Sequence, residues 1–383
     1  MRLLFICPGM EPGKDGVGDY VSRLAVNLSK EGFTINVIAL NDPFVSEITK
    51  EERKSHNTGY WVVRIPSFFS SREKIKIVEE WINSLAPEWV SLQYVGFGFN
   101  KYGLPLEMLR LKKSLASSNL HIMFHELWCG TARESKIKEK ILGNFQKLLI
   151  SKMYASLNPR QVFTNTQTSL NNLRKIGVRS RLIPVFSNIP TEEKASDEQW
   201  HQILESKGLH SITANKEDWL ILGFFGTVYH YMSIKNLIHS AAKAAVGLGK
   251  KIGILSIGHG RGQEIGKMAK DAHASHFQTG ALDSSQVNRC MNLVDLGVVT
   301  TRIDGLDKSG SAIAWLERGI PVIISSEDTM YKQEMEAKGV FQVFGAEDIY
   351  KSLNARGNFE KKNRFEEAQQ AYMGLARELQ PIN

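Results

Sequence analysis

Apolar residues follow two alternating patterns along the chain. Continuous runs of strand length, such as Arg2–Cys7 and Trp219–Phe225, give way to glycine and then to apolar residues at helical spacing. Over 20–30, Val21, Leu24, Ala25 and Leu28 share one face, and Gly32 follows as a stop. Over Ile234–Gly247, Leu237, Ile238, Ala241, Ala242 and Ala245 do the same. Further strands are predicted at 34–40, 61–65, 89–93, 121–124, 161–165, 181–185, 251–257, 296–300 and 321–325. Helix-length segments such as 71–85, 135–154 and 284–293 separate them. Continuous apolar strands between helices predict parallel sheets covered on both faces.

The two halves open alike, each on a buried strand, a glycine-bearing turn and a helix. A chain of 383 residues accommodates two such domains. The polar stretch 186–195, with Pro190, marks the boundary just after Val185. We set an N-terminal domain at 1–187 and a second at 188–355. The remaining 356–383 carries a charged amphipathic helix over 360–379. It is read either as packing back on the first domain or as an ordinary terminal helix.

Composition narrows the class. Hydrophobic residues make up 42% and charged residues 23%, which excludes disorder along most of the length. No run approaches the ~20 apolar residues that span a bilayer, and the short run at 3–7 lacks the features of a signal peptide. Cys7, Cys129 and Cys290 show no metal-type spacing, and with the missing signal they point to a reducing cytoplasm. The formal charge of +8 suits phosphate or an anionic membrane, or serves solubility alone. Its densest stretch is Lys136, Lys138, Lys140, Lys147 and Lys152. That helix is a candidate for peripheral contact at the inner face of a membrane, with a solvated face as the alternative.

Three turns carry candidate chemistry. The first, PGMEPGKDGVGDY, holds Gly16, Val17, Gly18 and Asp19. Glycines after a parallel strand let backbone N–H groups approach a ligand near a helix start. The run matches neither the dinucleotide fingerprint nor the P-loop, and a flexible surface loop is its bland reading. The second, GFFGTVYHYMSIKNL, closes its strand at Gly226, with Thr227 next and Lys235 in the first helical turn. A lysine there opposes the helix dipole, so it points to an anionic partner or to a plain surface residue. The third, DGLDKSGSAIAWLERGIPVI, places Lys308, Ser309, Gly310 and Ser311 before a helix. The serines are good caps, and with the lysine and glycine they form a candidate anion cradle.

In order and spacing these pieces resemble the GT-B glycosyltransferases that use nucleotide sugars, above all the retaining family 4. GVGDYVSRLAVNL is similar to that family's acceptor-side loop and helix. His125 in FHELW matches the histidine lining its catalytic cleft. FFGTVYHYMSIKNL resembles the strand, glycine and lysine motif whose lysine meets the donor diphosphate, and SGSAIAWLERGIPVI resembles the nucleotide-holding segment. SIGHGRG, with Arg261, and VDLGVVT fit connecting strands. The resemblance covers nearly the whole chain. It implies an α/β GT-B fold, two Rossmann-like domains facing each other across a cleft.

The resemblance also implies roles. Gly226, Thr227, Lys235 and the Ser309–Ser311 turn would hold the donor, and Gly16–Asp19 the acceptor and sugar; Lys308 or Arg261 is our own candidate for the positive charge lost where Thr227 replaces the family's arginine. His125 would hydrogen-bond a sugar hydroxyl, and Glu126 beside it would act as an acid or base. Neighbours on a strand point apart, so without a turn only one of these two faces the site. Breaking the C1–O bond puts positive charge on the sugar and negative charge on the leaving phosphate, so fixed cations are needed there. On the retaining pattern the phosphate takes the acceptor proton itself. No metal and no cofactor is expected beyond the co-substrate, a UDP- or GDP-sugar, and Asp304 and Asp307 read as turn formers. The acceptor would be a saccharide, a lipid-linked sugar or a small molecule, and nucleic acid is not expected as a partner.

Two departures stand out. The family's arginine directly after the glycine matching Gly226 is Thr227 here, and its pair of glutamates eight positions apart falls on Leu306 and Ala314. A degenerate binding or scaffold subunit is therefore a second reading. A sugar-phosphate epimerase or a phosphorylase on the same architecture is a third, although nothing resembles a pyridoxal-phosphate lysine site.

Overall fold

The computed structural model describes all residues except 56–57, 116–117, 132–134, 192–195, 230–233, 326–331, 360–362 and 378–383. The chain divides into two compact units, Met1–Pro184 with Phe365–Asn383, and Val185–Arg364. Residues 185–187, placed above in the first domain, thus belong to the second unit. Residues 356–364, placed above with the terminal helix, belong there too. The reason is packing: Arg356 Nη1 meets Asp295 Oδ1 at 2.9 Å, and a side chain at Gly339 would press on the Phe359 ring.

The first unit is built on an eight-stranded sheet. Its strands are β1 (Arg2–Cys7), β2 (Thr34–Asp42), β3 (Thr49–Ser55), β4 (Thr58–Pro66), β5 (Trp89–Tyr94), β6 (Asn119–Phe124), β7 (Gln161–Thr164) and β8 (Arg181–Leu182). Their order is β3-β4-β2-β1-β5-β6-β7-β8, parallel except for the β3–β4 pair. The central strands are buried along nearly their full length, as apolar runs between helical layers must be. Sequence patterning does not show β3. Its residues TKEERKS are charged because the strand lies at the sheet edge, where charge blocks further pairing. β8 stops early because Pro184 has no N–H for the ladder.

The terminal helix Arg364–Arg377 lies on this first sheet. The Tyr372 ring sits 5.7 Å from Phe5 and 5.2 Å from His121, centroid to centroid. The Arg23 guanidinium covers Phe365 at 4.2 Å. The parts of the predicted 360–379 helix at 360–362 and 378–379 lie outside the described residues.

The second unit is a six-stranded, all-parallel sheet of β9 (Trp219–Phe225), β10 (Lys251–Ile257), β11 (Ser275–Gln278), β12 (Leu296–Val298), β13 (Val322–Ile324) and β14 (Val340–Gln342). Its order is β11-β10-β9-β12-β13-β14. The sequence order turns between β11 and β12, the arrangement in which ligands bind beyond the carboxyl ends of the middle strands. The helix Gly310–Glu317 approaches this sheet closely because β9 and β12 carry glycine where it lands. Trp315 is fully buried over Gly223 and Gly297, and a Cβ at either position would collide with its indole ring. This notch fixes where the start of that helix, with Ser309 to Ser311, meets the strand ends.

Candidate functional sites

In the first unit, Gly16–Asp19 is not a loop. It is the first turn of the helix Gly16–Lys30, capped by Asp15. Asp15 Oδ1 accepts the N–H of Val17 at 2.9 Å and of Gly18 at 3.2 Å. Those donors are therefore spent on the cap. Gly18 is required for packing, since a Cβ there would lie 2.6 Å from the Gly9 carbonyl oxygen. Asp19 Oδ1 accepts the Gly13 N–H at 3.0 Å. Burial raises the carboxyl pKa of both Asp15 and Asp19, against the hydrogen bonds they receive.

An ion pair anchors the preceding turn. Arg64 Nε donates to Asp42 Oδ2 at 2.7 Å, and Arg64 Nη2 reaches Glu11 at 2.6 Å. Asp42 also accepts the Met10 N–H. Burial would raise the Asp42 carboxyl, but the Arg64 bonds and backbone donors outweigh it and hold the pKa below the usual value.

His125 stands just past β6 and is buried. Its Nε2 lies 2.9 Å from Gln93 Oε1, and its ring meets Tyr20 edge-on at 4.9 Å. The Gln93 amide nitrogen donates to Ser91 Oγ at 2.7 Å and to Tyr372 Oη at 3.1 Å. With both amide protons committed, Gln93 offers His125 an acceptor, which sets the proton on Nε2 and makes Nδ1 the acceptor end of the ring. Ser91 Oγ in turn meets His121 Nδ1 at 2.8 Å. Burial, with the nearby His125, pushes the His121 pKa down to about 3, so this network is neutral at its base. Glu126 is exposed. Sequence reading did not include Gln93, Tyr20 or Tyr372.

In the second unit, three of the predicted elements come together. Gly226 closes β9 in a left-handed conformation, φ +81°, which glycine alone adopts without strain. A Cβ there would sit 3.5 Å from Ser311 Cβ, and a Cβ on Gly260 would sit 3.4 Å from the Gly226 carbonyl oxygen. Thr300 Oγ1 ties this turn down, accepting the Tyr229 N–H at 2.8 Å and donating to the Thr227 carbonyl at 3.4 Å. Ser309 caps the helix through the Ala312 N–H and links Thr301 to Ser311, with Oγ–Oγ distances of 3.2 and 3.1 Å. The Ile313 N–H bonds to the Ser309 carbonyl, so Gly310 and Ser311 are the first-turn groups outside the helix's own ladder.

Beside Gly260 opens a cavity of about 660 Å³, lined among others by His259, Arg261, Glu264, His276 and Gln278. Arg261 Nη1 and Gln278 Oε1 are both buried and without a hydrogen-bond partner. Glu264 lies 3.6 Å from that guanidinium nitrogen, an ion pair beyond hydrogen-bond reach. Burial lowers the His276 pKa, which favours the neutral ring, and its Nε2 meets Ser256 Oγ at 3.0 Å. A buried donor and a buried acceptor without partners, on two residues lining one cavity, suit a ligand that carries both.

The remaining predicted residues are placed apart from this cluster or at its rim. Lys308 is exposed just before the capping serine. Lys235 pairs with Asp271 Oδ2 at 3.3 Å on the surface. Of its motif, 230–233 lie outside the described residues. Leu306 and Ala314, where paired glutamates would fall, are buried among apolar side chains. Glu317 instead accepts the Ser187 N–H at 3.2 Å, and Arg318 braces the carbonyls of Ile189 and Pro190. The acid that ends this helix thus holds the irregular segment that enters the unit. Among the described residues no three His, Cys, Asp or Glu side chains converge as a metal site would require.

No protein-family model matches the sequence, and no curated protein does. Solved structures do match the fold along its whole length. A sucrose-phosphate synthase from Thermosynechococcus elongatus superposes with a TM-score of 0.61 at 15% identity, covering 99% of this chain and 98% of that one. WaaG, a glycosyltransferase involved in lipopolysaccharide biosynthesis, gives 0.55 at 12% identity over 96% and 98%. A UDP-GlcNAc 2-epimerase from Neisseria meningitidis bound to UDP-GlcNAc gives 0.55 at 13% over 99% and 100%. At such identities the likeness establishes architecture: two parallel-sheet α/β units of the GT-B type.

Proposed function

We propose that this chain is a retaining glycosyltransferase, moving a sugar from a nucleoside-diphosphate donor to a saccharide, lipid-linked or small-molecule acceptor. One observation carries the reading. In the second unit Gly226, Ser311 and Gly260 form a side-chain-poor floor that runs into the cavity lined by Arg261 and Gln278, whose buried Nη1 and Oε1 lack hydrogen-bond partners. The floor admits a diphosphate close to backbone. The cavity offers a nucleoside one donor and one acceptor.

In this reading the diphosphate lies on the first turn at Gly310 and Ser311, with Lys308 supplying charge. Lys235 exchanges Asp271 for phosphate, a small cost because an exposed pair is worth well under ~1 kcal/mol. These groups stabilise the leaving phosphate as the C1–O bond breaks, and the phosphate then takes the acceptor proton. His125 hydrogen-bonds a sugar hydroxyl through Nδ1, and Glu126 is the acid or base nearest to it in sequence. The reading calls for no metal.

A second reading is a donor-binding protein without turnover. It is favoured by Leu306 and Ala314, apolar and buried where the resemblance calls for glutamates.

Donor binding tests the site. Lys308→Ala, Lys235→Ala and Arg261→Ala, each titrated calorimetrically with UDP and GDP, should each weaken binding about 10-fold, the lower end for losing a charged hydrogen bond. Unchanged affinity in all three would remove the site from this place.

A further inference from the structure

The helix Ile137–Leu157 is apolar on two faces. Its inner face buries Leu149, Ile150, Met153 and Leu157 in the first unit's core. On the opposite face Ile137, Ile141, Phe145 and Leu148 stand 76, 53, 59 and 52% exposed. Their spacing of four, four and three residues puts them in one stripe. Monomeric proteins seldom leave such a stripe to water unless something covers it.

The charges beside the stripe say what covers it. At 100° per residue, exposed Lys140 and Lys147 flank it on one side and exposed Lys138 and Lys152 on the other. The one acid on the helix, Glu139, is committed to the Lys136 N–H at its start. A second copy docked face to face would set lysine against lysine. An anionic bilayer takes the apolar side chains into its acyl boundary and the lysines at its headgroups. No described helix is long and apolar enough to cross a membrane, so the contact lies in the surface plane.

We propose that this face of Ile137–Leu157 docks the protein on an anionic bilayer, with Ile137, Ile141, Phe145 and Leu148 inserted. The inference is independent of the catalytic reading. Cosedimentation of the full chain tests it. The vesicles are phosphatidylcholine alone, or equal parts phosphatidylcholine and phosphatidylglycerol.

The intact chain should pellet with the anionic vesicles and far less with the neutral ones. Ile141→Ser/Phe145→Ser/Leu148→Ser should lower the affinity at least ~100-fold at unchanged Tm, given the area withdrawn from the bilayer. Phe145→Leu should retain it. Lys138→Gln/Lys140→Gln/Lys147→Gln/Lys152→Gln should erase the anionic preference, at about 5-fold per lysine. No pelleting of the intact chain, or binding that the triple serine variant leaves intact, would overturn the proposal. So would a dimer, seen by sedimentation velocity, that the triple variant dissolves, because the stripe would then be a self-contact.

Discussion

Gly226→Val should weaken nucleotide-diphosphate binding about 100-fold, the largest functional loss expected from one substitution in the second unit. Two effects add. A β-branched residue at φ +81° is strained by roughly 1–3 kcal/mol. Its methyls also occupy the floor next to Ser311, whose Cβ lies 3.5 Å from the position a new Cβ would take. Titration calorimetry with UDP and GDP measures the loss, and circular dichroism checks that the unit stays folded. Affinity within ~3-fold of the parent would mean that the ligand does not use this floor.

Trp315→Ala should cost about 3–5 kcal/mol of stability, the range for deleting a large buried aromatic side chain. The indole is fully buried and fills the notch over Gly223 and Gly297, so its removal leaves a cavity that backbone glycines cannot refill. The helix carrying Ser309 to Ser311 loses the contact that sets its height above the sheet. Chemical denaturation followed by circular dichroism gives the value. A cost below ~1 kcal/mol would show that the helix is held elsewhere, for instance by the Arg318 and Glu317 bonds to the segment around Ser187 and Ile189.

Much of the fold is legible in the sequence because parallel strands buried on both faces read as continuous apolar runs, as LLFIC and LILGFF do. β3 is illegible for the complementary reason: an edge strand protects itself with charge, and TKEERKS looks like a loop. The start of the first long helix is hidden by Gly16 and Gly18, poor helix formers, and the need for Gly18 is seen only in the close approach of Gly9.

The candidate site is less legible. Glycine after a strand points to Gly226, and serines before a helix point to Ser309 and Ser311, because backbone conformation leaves a local mark. Gln93 and His121 do carry a signal, as polar residues inside otherwise apolar strands. Tyr372 joins them from a distant helix, and no local pattern brings it to Gln93. Arg261 is picked out by the resemblance, whereas Gln278 becomes notable only when burial shows its side-chain oxygen to be unpartnered. The pairing of Lys235 with Asp271 is likewise a matter of how two helices lie side by side.

The central claim is that the Gly226–Ser311 floor serves transfer from a nucleotide sugar. It is tested most directly by nucleotide release from a panel of UDP-, GDP-, ADP- and TDP-sugars, with a mixed pool of sugar acceptors and with EDTA present. We expect one donor to be turned over at a rate the chelator does not change, with release abolished in Gly226→Val. Tight donor binding without release would contradict transfer and favour a binding subunit, and release of an epimerised sugar in place of a glycoside would assign a different reaction to the same floor.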